Sequence, residues 1–251
     1  MKNPRTILIT GASSGIGEAL ARHYAKPGTK LCLSGRNEAR LHAVSEACRT
    51  AGAHIESEVL DVGDTTAMRQ WIEKCDDQSP LDLVFANAGI GIGEDEEGLE
   101  AAARQTFAIN VDGVFNTIFP AIDRMKPRGS GQIAIVASLA AYVASPGAAA
   151  YGASKAAVKA YGEALRGSLE PDGIEVSVIN PGFVKSRMTD RNTHAMPFKW
   201  TGEQAARAIA ARLARNKGRI SFPWPMVALV WTLRALPMGL IDFVARRMPR
   251  S

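Results

Sequence analysis

Seven short apolar or β-branched runs alternate with helical stretches along this chain, and that alternation leaves little choice of fold. The runs lie at 5–10, 30–34, 54–59, 81–86, 131–137, 174–179 and 218–222. Most are nearly continuous in apolar residues, as strands covered on both faces require. Between them, helical spacing is read near 15–25, 38–51, 65–74, 99–125, 149–170 and 201–215. Strand and helix in strict repetition build βαβ units with right-handed crossovers, so the expected architecture is α/β with a doubly wound parallel sheet of about seven strands.

At 251 residues, 46% hydrophobic and 22% charged, the chain has the length and balance of one globular domain. No internal repeat or Pro/Gly/Ser-rich linker divides it, so residues 1–221 are read as one body and 222–251 as an apolar, basic C-terminal extension of it. Cys32, Cys48 and Cys75 are odd in number and form no Cys-x-x-Cys pair, which reads as buried thiols in a reducing, cytoplasmic setting. His23, His42, His54 and His194 show no metal-ligand spacing, and no metal is expected. Thr6-Ile7-Leu8-Ile9-Thr10 runs straight into a glycine-rich turn, which makes it a first strand rather than a secretory leader. A net charge of +5 without a Lys/Arg run among aromatics gives no sign of a nucleic-acid partner.

The turn after that strand is Thr10-Gly11-Ala12-Ser13-Ser14-Gly15-Ile16-Gly17, and a helical pattern follows at once. Glycines there allow close backbone approach to a pyrophosphate, while the helix start offers free N–H groups and a favourable dipole. Ser13 and Ser14 add hydroxyl donors. In isolation the same glycines would also serve a plain tight turn.

The second strand ends Ser34-Gly35-Arg36-Asn37, where a dinucleotide-binding sheet meets the adenosine ribose. An acid there accepts from a free 2′-hydroxyl, whereas Arg36 suits a 2′-phosphate, so NADP(H) is expected ahead of NAD(H). The plainer reading of Arg36 is a solvated strand end.

Tyr151 and Lys155 stand four apart in a helical stretch and so leave one face a turn apart. A neighbouring ammonium favours the phenolate, so the spacing predicts a lowered tyrosine pKa and a residue able to exchange a proton with a carbonyl or alcohol oxygen. Ser138 follows the apolar run Ile133-Ala134-Ile135-Val136-Ala137, at the strand end where α/β sheets bind ligands. Its hydroxyl can orient a substrate oxygen, or simply cap a turn.

Together these residues resemble one family, the classical short-chain dehydrogenases/reductases. The resemblance runs from about Thr6 to Ser186 and rests on Thr10-Gly11-x-x-x-Gly15-x-Gly17, Asp61-Val62, Asn87-Ala88-Gly89, Asn110-Val111, Ser138, Tyr151-x-x-x-Lys155 and Pro181-Gly182, in that order. It implies a Rossmann-type single domain, a homo-oligomer, and hydride transfer between a nicotinamide and a small-molecule carbonyl or alcohol. By the same resemblance Asp61 and Val62 line the adenine pocket, and Asn87, Ala88 and Gly89 support the sheet centre beside the cofactor. Asn110 holds a water that links Lys155 to solvent, completing a set with Ser138, Tyr151 and Lys155. Lys155 also binds the nicotinamide ribose, and Pro181, Gly182 and Val184 border the nicotinamide. Ser186 stands where the family often has threonine, and keeps the hydroxyl. Alone, Asn87 and Asn110 would read as turn or cap residues and Asp61 as a solvated carboxylate. The rival is a catalytically silent NADP(H)-binding regulatory or scaffold protein of the same fold.

Near 183–200 the family places a substrate lid, and here it carries Phe183, Met188, His194, Met196, Pro197, Phe198 and Trp200 among Lys185, Arg187, Arg191 and Lys199. Those apolar side chains fit an apolar substrate and equally fit packing on their own domain. Glu94-Asp95-Glu96-Glu97 reads as a solvated helix start. The tail from Phe222 holds Trp224, Trp231, Arg234, Pro237, Arg246, Arg247 and Arg250, and its first apolar run is too short to span a bilayer. Two uses stay open: peripheral contact with an anionic membrane, with a lipid-like substrate, or a cover over the active site or a subunit interface. A peripheral membrane protein with incidental enzyme activity would rest on that tail alone.

Overall fold

All five residues of the first strand, β1 (Thr6–Thr10), are buried, and their side chains divide between two cores. Ile7 and Ile9 point to one side and Leu8 to the other, the period-two alternation of a strand covered on both faces. The computed structural model describes residues 3–91, 98–143, 148–190 and 196–235.

Around β1 stand β2 (Lys30–Gly35), β3 (His54–Val59), β4 (Leu83–Ala86), β5 (Gly131–Val136), β6 (Ile174–Pro181) and β7 (Arg219–Phe222). They form one sheet in the order β3-β2-β1-β4-β5-β6-β7, every pairing parallel. Helices α1 (Gly15–Tyr24), α2 (Glu38–Thr50) and α8 (Gly202–Leu213) pack on the Ile7/Ile9 face. On the Leu8 face lie α3 (Thr65–Gln78), α5 (Gly113–Met125) and α6 (Ala149–Leu169). The result is the doubly wound, Rossmann-type single domain expected. The chain reverses its direction of travel across the sheet between β1 and β4, and in such sheets the crevice beyond those strand ends is where ligands bind. At the β3 edge the strand turns amphipathic, with His54 and Glu58 exposed, as an unpaired edge requires. Cys32, Cys48 and Cys75 are buried free thiols.

Two expected elements change shape. The run at 81–86 begins as a strand only at Leu83, because the Leu81 backbone is occupied: its N–H donates to Asp76 Oδ1 at 2.8 Å and its carbonyl accepts from Arg128 Nη2 at 2.7 Å. The long helix at 99–125 divides into α4 (Leu99–Phe107), a π-helical turn (Ala108–Asp112) and α5. At the division Gly113 lies so close to Val62 that a Cβ would come within 2.6 Å of Val62 Cγ2. In the tail, α9 (Trp224–Arg234) buries Met226 and Val230 against Leu139 and Tyr142 and leaves Trp224, Leu229 and Trp231 exposed. No helix among the described residues is long and apolar enough to cross a membrane. Glu94–Glu97, Arg191, His194, Pro237, Arg246, Arg247 and Arg250 lie outside the described residues.

Candidate active site

A cleft of about 480 Å³ opens beyond the ends of β1 and β4. Its floor is the glycine turn. Gly11 and Gly15 adopt left-handed φ values of +66° and +60°, which a side chain would strain. A Cβ on Gly11 would also sit 2.8 Å from Ala88 Cα. Ser13, Ser14 and Ile16 join them on the cleft wall. Gly17 does not. A Cβ there would meet Gly11 O at 2.3 Å, so Gly17 serves the close packing of α1 on the turn and not the cleft surface. The Asn87 amide braces the same place, donating to Thr10 O at 2.8 Å and Gly11 O at 3.3 Å. Thr10 Oγ1 in turn accepts from the N–H groups of Asn87 and Ala88, so the ends of β1 and β4 are tied together.

At one end of the cleft stand Arg36, Asn37, Asp61 and Val62, all on its wall. Asn37 Oδ1 caps α2 by accepting from Arg40 N at 3.0 Å. Asp61 takes up Gly63 N at 2.9 Å and lies 3.6 Å from Arg36 Nη1.

At the other end α6 presents Tyr151 and Lys155 to the cleft, one turn apart. The Tyr151 hydroxyl is hydrogen-bonded by Ser138, which stands just past the end of β5 and also accepts from Ala140 N at 3.1 Å. Lys155 Nζ donates to Val136 O at 2.9 Å and lies 5.9 Å from the Tyr151 ring centre. The expected electrostatics are corrected here. Burial raises the Tyr151 pKa, and the Ser138 hydrogen bond opposes it. Burial pushes the Lys155 ammonium down to about 8. Desolvation therefore outweighs the attraction that the spacing alone implies.

A family model described as short chain dehydrogenase matches residues 5–197. The chain belongs to the short-chain dehydrogenase/reductase family. It is accordingly an oxidoreductase of CH–OH and C=O groups. It is 36% identical over 246 residues to an uncharacterized oxidoreductase of Myxococcus xanthus, covering 97% of each chain. It is 32% identical to 11-beta-hydroxysteroid dehydrogenase A of Sesamum indicum, over 91% of this chain and 71% of that one. A short-chain dehydrogenase/reductase of Burkholderia phymatum, solved in complex with NAD, superposes with a TM-score of 0.84 at 25% identity, covering 98% and 96% of the two chains.

In this short-chain dehydrogenase, Asn110 lies behind the cleft rather than on it. It sits fully buried in the π turn. Its amide nitrogen donates to Ile90 O at 2.9 Å and Ser154 Oγ at 3.0 Å, and its oxygen accepts from Ile90 N at 2.8 Å. Only Gly89 separates Asn110 from Lys155, since a Cβ on that glycine would lie 3.1 Å from Asn110 Oδ1 and from Lys155 Nζ. The sequence reading missed Ser154, whose hydroxyl bonds Tyr151 O at 2.8 Å and so joins Asn110 to the tyrosine's own helix turn. A hydroxyl beside Lys155 on the buried side of the helix was the available signal.

Pro181, Gly182, Val184 and Ser186 line the same end as Tyr151. Ser186 and Thr189 cap one another's turn, Ser186 N donating to Thr189 Oγ1 at 2.9 Å. The two uses of the lid side chains divide between residues. Trp200 stacks on Phe222 at 4.9 Å and Phe183 packs near Leu139, both on their own domain. Met188, in the short helix α7 (Arg187–Asp190), lines the cleft instead. A Cβ on Gly91 would touch both Met188 Sδ and Tyr151 Cδ2 at 3.7 Å, so Gly91 lies beside both the thioether and the tyrosine ring. Leu60, Ile90 and Arg40 also line the cleft without having been singled out in sequence. Among the described residues no group of His, Cys, Asp and Glu is placed to hold a metal.

Proposed function

We propose that this enzyme transfers a hydride between NADP(H) and the carbonyl or alcohol carbon of an apolar small molecule, with Tyr151 as acid and base. The hydrogen-bonded hydroxyls of Ser138 and Tyr151, beside Lys155 at the end of β5, carry this reading. The cleft residues fit a dinucleotide, because the cradle at Gly11 and Gly15 is one that a Cβ would fill, 2.8 Å from Ala88 Cα and 3.0 Å from Ser186 Cβ. The turn 11–17 and the start of α1 would hold the pyrophosphate, Asp61 and Val62 the adenine end, and Pro181, Gly182, Val184 and Ser186 the nicotinamide end. When bound, the nicotinamide supplies or accepts the hydride. Tyr151 gives its hydroxyl proton to the substrate oxygen in reduction and takes one in oxidation, and burial keeps the phenol in the protonated form that reduction uses. Ser138 orients that oxygen. Lys155, with one proton on Val136 O, keeps two donors for ribose hydroxyls. Asn110 and Ser154 hold this part of α6 in place.

Arg36 supports NADP(H) ahead of NAD(H), and the NAD of the Burkholderia relative belongs to that protein. Met188 on the same cleft wall as Tyr151, and the steroid in the name of the Sesamum relative, support an apolar substrate. We further read residues 1–221 as the catalytic body with its lid near 183–200, 222–251 as an extension of it, and the protein as a cytoplasmic homo-oligomer with peripheral membrane contact. The deciding measurement is NADPH oxidation against a panel of apolar ketones and aldehydes. Tyr151→Phe is expected to lose about 10²–10⁴-fold in turnover while binding NADPH as the parent does. NADPH bound by the parent but oxidised with no carbonyl of the panel would favour the silent regulatory or scaffold protein.

A further inference from the structure

Arg40 is the cleft's unassigned cation. It stands in the first turn of α2 and shares the cleft wall with Arg36, Asn37 and Ser13. Among the described residues its buried Nε has no hydrogen-bond partner, and no carboxylate lies within ion-pair distance of it. A guanidinium presents five donors and no acceptor, and no described carboxylate pairs with this one, so an anion bound in the cleft would be its counter-charge. Arg36 is differently placed. Its guanidinium is about half exposed and already has the Asp61 carboxylate 3.6 Å away.

The cleft end between β2 and α2 therefore carries two cations and one acid, and the acid sits on Arg36. Ser13 adds a hydroxyl, held against the strand end so closely that a Cβ on Gly35 would lie 3.1 Å from its Oγ. Two forked donors and a hydroxyl around a small volume match a phosphate monoester, whose three terminal oxygens accept from all of them. They match a ribose diol poorly, because the 2′-hydroxyl needs an acceptor and Asp61 is already occupied by Arg36 and Gly63 N.

We propose that Arg40, more than Arg36, is the residue that holds the 2′-phosphate of NADP(H) and sets the choice against NAD(H). The inference rests on the NADP(H) reading above and adds a residue and a ranking to it. Arg36 then acts as the outer, half-neutralised member of the pair, and Arg40 as the inner one.

The test is equilibrium binding of NADPH, NADH and 2′,5′-ADP to the full chain, followed by fluorescence or calorimetry, without reference to turnover. Arg40→Ala is expected to weaken NADPH and 2′,5′-ADP at least tenfold while NADH changes less than twofold. Arg36→Ala is expected to weaken NADPH by a smaller factor. Arg40→Lys keeps the charge but not the fork and should fall between Arg40→Ala and the parent. The NADH affinity of each variant serves as its folding control. If the parent prefers NADPH and Arg40→Ala leaves that preference intact, or weakens both nucleotides alike, this inference is wrong and the proposed function stands. A parent that binds NADH as tightly as NADPH would overturn the cofactor reading and this ranking together.

Discussion

Lys155 is a buried ammonium that donates to a backbone carbonyl, Val136 O, and its burial gives it a pH signature apart from catalysis. Its folded pKa of about 8 lies below its ordinary 10.5, so between those values the unfolded chain keeps a proton that the native chain has released. Stability from this residue therefore rises with pH across that window, and below pH 8 the full cost of a charged, desolvated lysine is present. At about 1.4 kcal/mol per pH unit that cost is on the order of 3 kcal/mol. Lys155→Met is accordingly expected to melt higher than the parent near pH 7, with the advantage shrinking between pH 8 and 10.5. The lost bond to Val136 O is a constant offset that pH does not move. Thermal melts of both proteins at several pH values would show it, and an advantage that stays flat or grows with pH would contradict the assignment. At this scale the sequence made the neighbours legible and the sign of their interaction illegible. Four-residue spacing puts Tyr151 and Lys155 on one face, but whether charge or burial governs the phenol depends on how deeply α6 is covered. Arg40 was hidden for a related reason: Arg-Asn-Glu-Ala-Arg reads as a solvated helix start, and only the seat of α2 against the strand end buries its Nε.

Among the elements, the strands could be read because their composition records burial on both faces, and helix starts because capping is local. Thr201 with Gln204 forms a reciprocal capping box, and α8 accordingly begins at Gly202, beside the expected start at 201. The π turn was not readable. Residues 99–125 carry continuous helical spacing, and the extra residue at 108–112 is fixed by partners distant in sequence, Ile90 for Asn110 and Val62 for Gly113. The turn-to-helix junction is the element on which the cofactor end depends most, and it has a small margin. A Cβ on Gly17 would fall 2.3 Å from Gly11 O and 2.5 Å from Asn87 Nδ2, both held by the β1–β4 brace. Since neither atom can move away cheaply, α1 must shift instead. Gly17→Ala is expected to destabilise the fold by about 1–3 kcal/mol and to weaken NADPH and NADH alike, because it displaces the pyrophosphate seat rather than the 2′-phosphate contacts. Denaturant unfolding and nucleotide titration together separate this from the Arg40 variants, and a selective loss of NADPH would refute the packing role.

At the scale of the whole molecule, the tail joins exposed apolar side chains to a sequence with a basic surplus. The described part of the tail exposes Trp224, Leu229 and Trp231 on α9, while Met226 and Val230 fasten the helix to the turn that follows Ser138. The same helix meets the loop that follows β6, since a Cβ on Gly182 would strike Met226 Sδ at 2.7 Å. The tail sequence from 223 onward holds Arg234, Arg246, Arg247 and Arg250 against a single acid, Asp242. Tryptophans at an apolar face with a basic surplus match an anionic bilayer better than a second copy of a chain that is itself net +5. On the membrane contact proposed above, the occupant of that face would be an anionic membrane, which would bring lipid-soluble carbonyls close to Ser138 and Tyr151. The full chain carrying Trp224→Ser and Leu229→Ser is expected to pellet several-fold less with phosphatidylserine vesicles than the parent, and the parent less in 0.5 M salt or with neutral vesicles. Both side chains are exposed and neither lines the cleft, so nucleotide affinity should not change. Equal pelleting of parent and variant would sink the membrane reading. A variant that instead changes its elution volume in gel filtration would assign the face to a subunit interface.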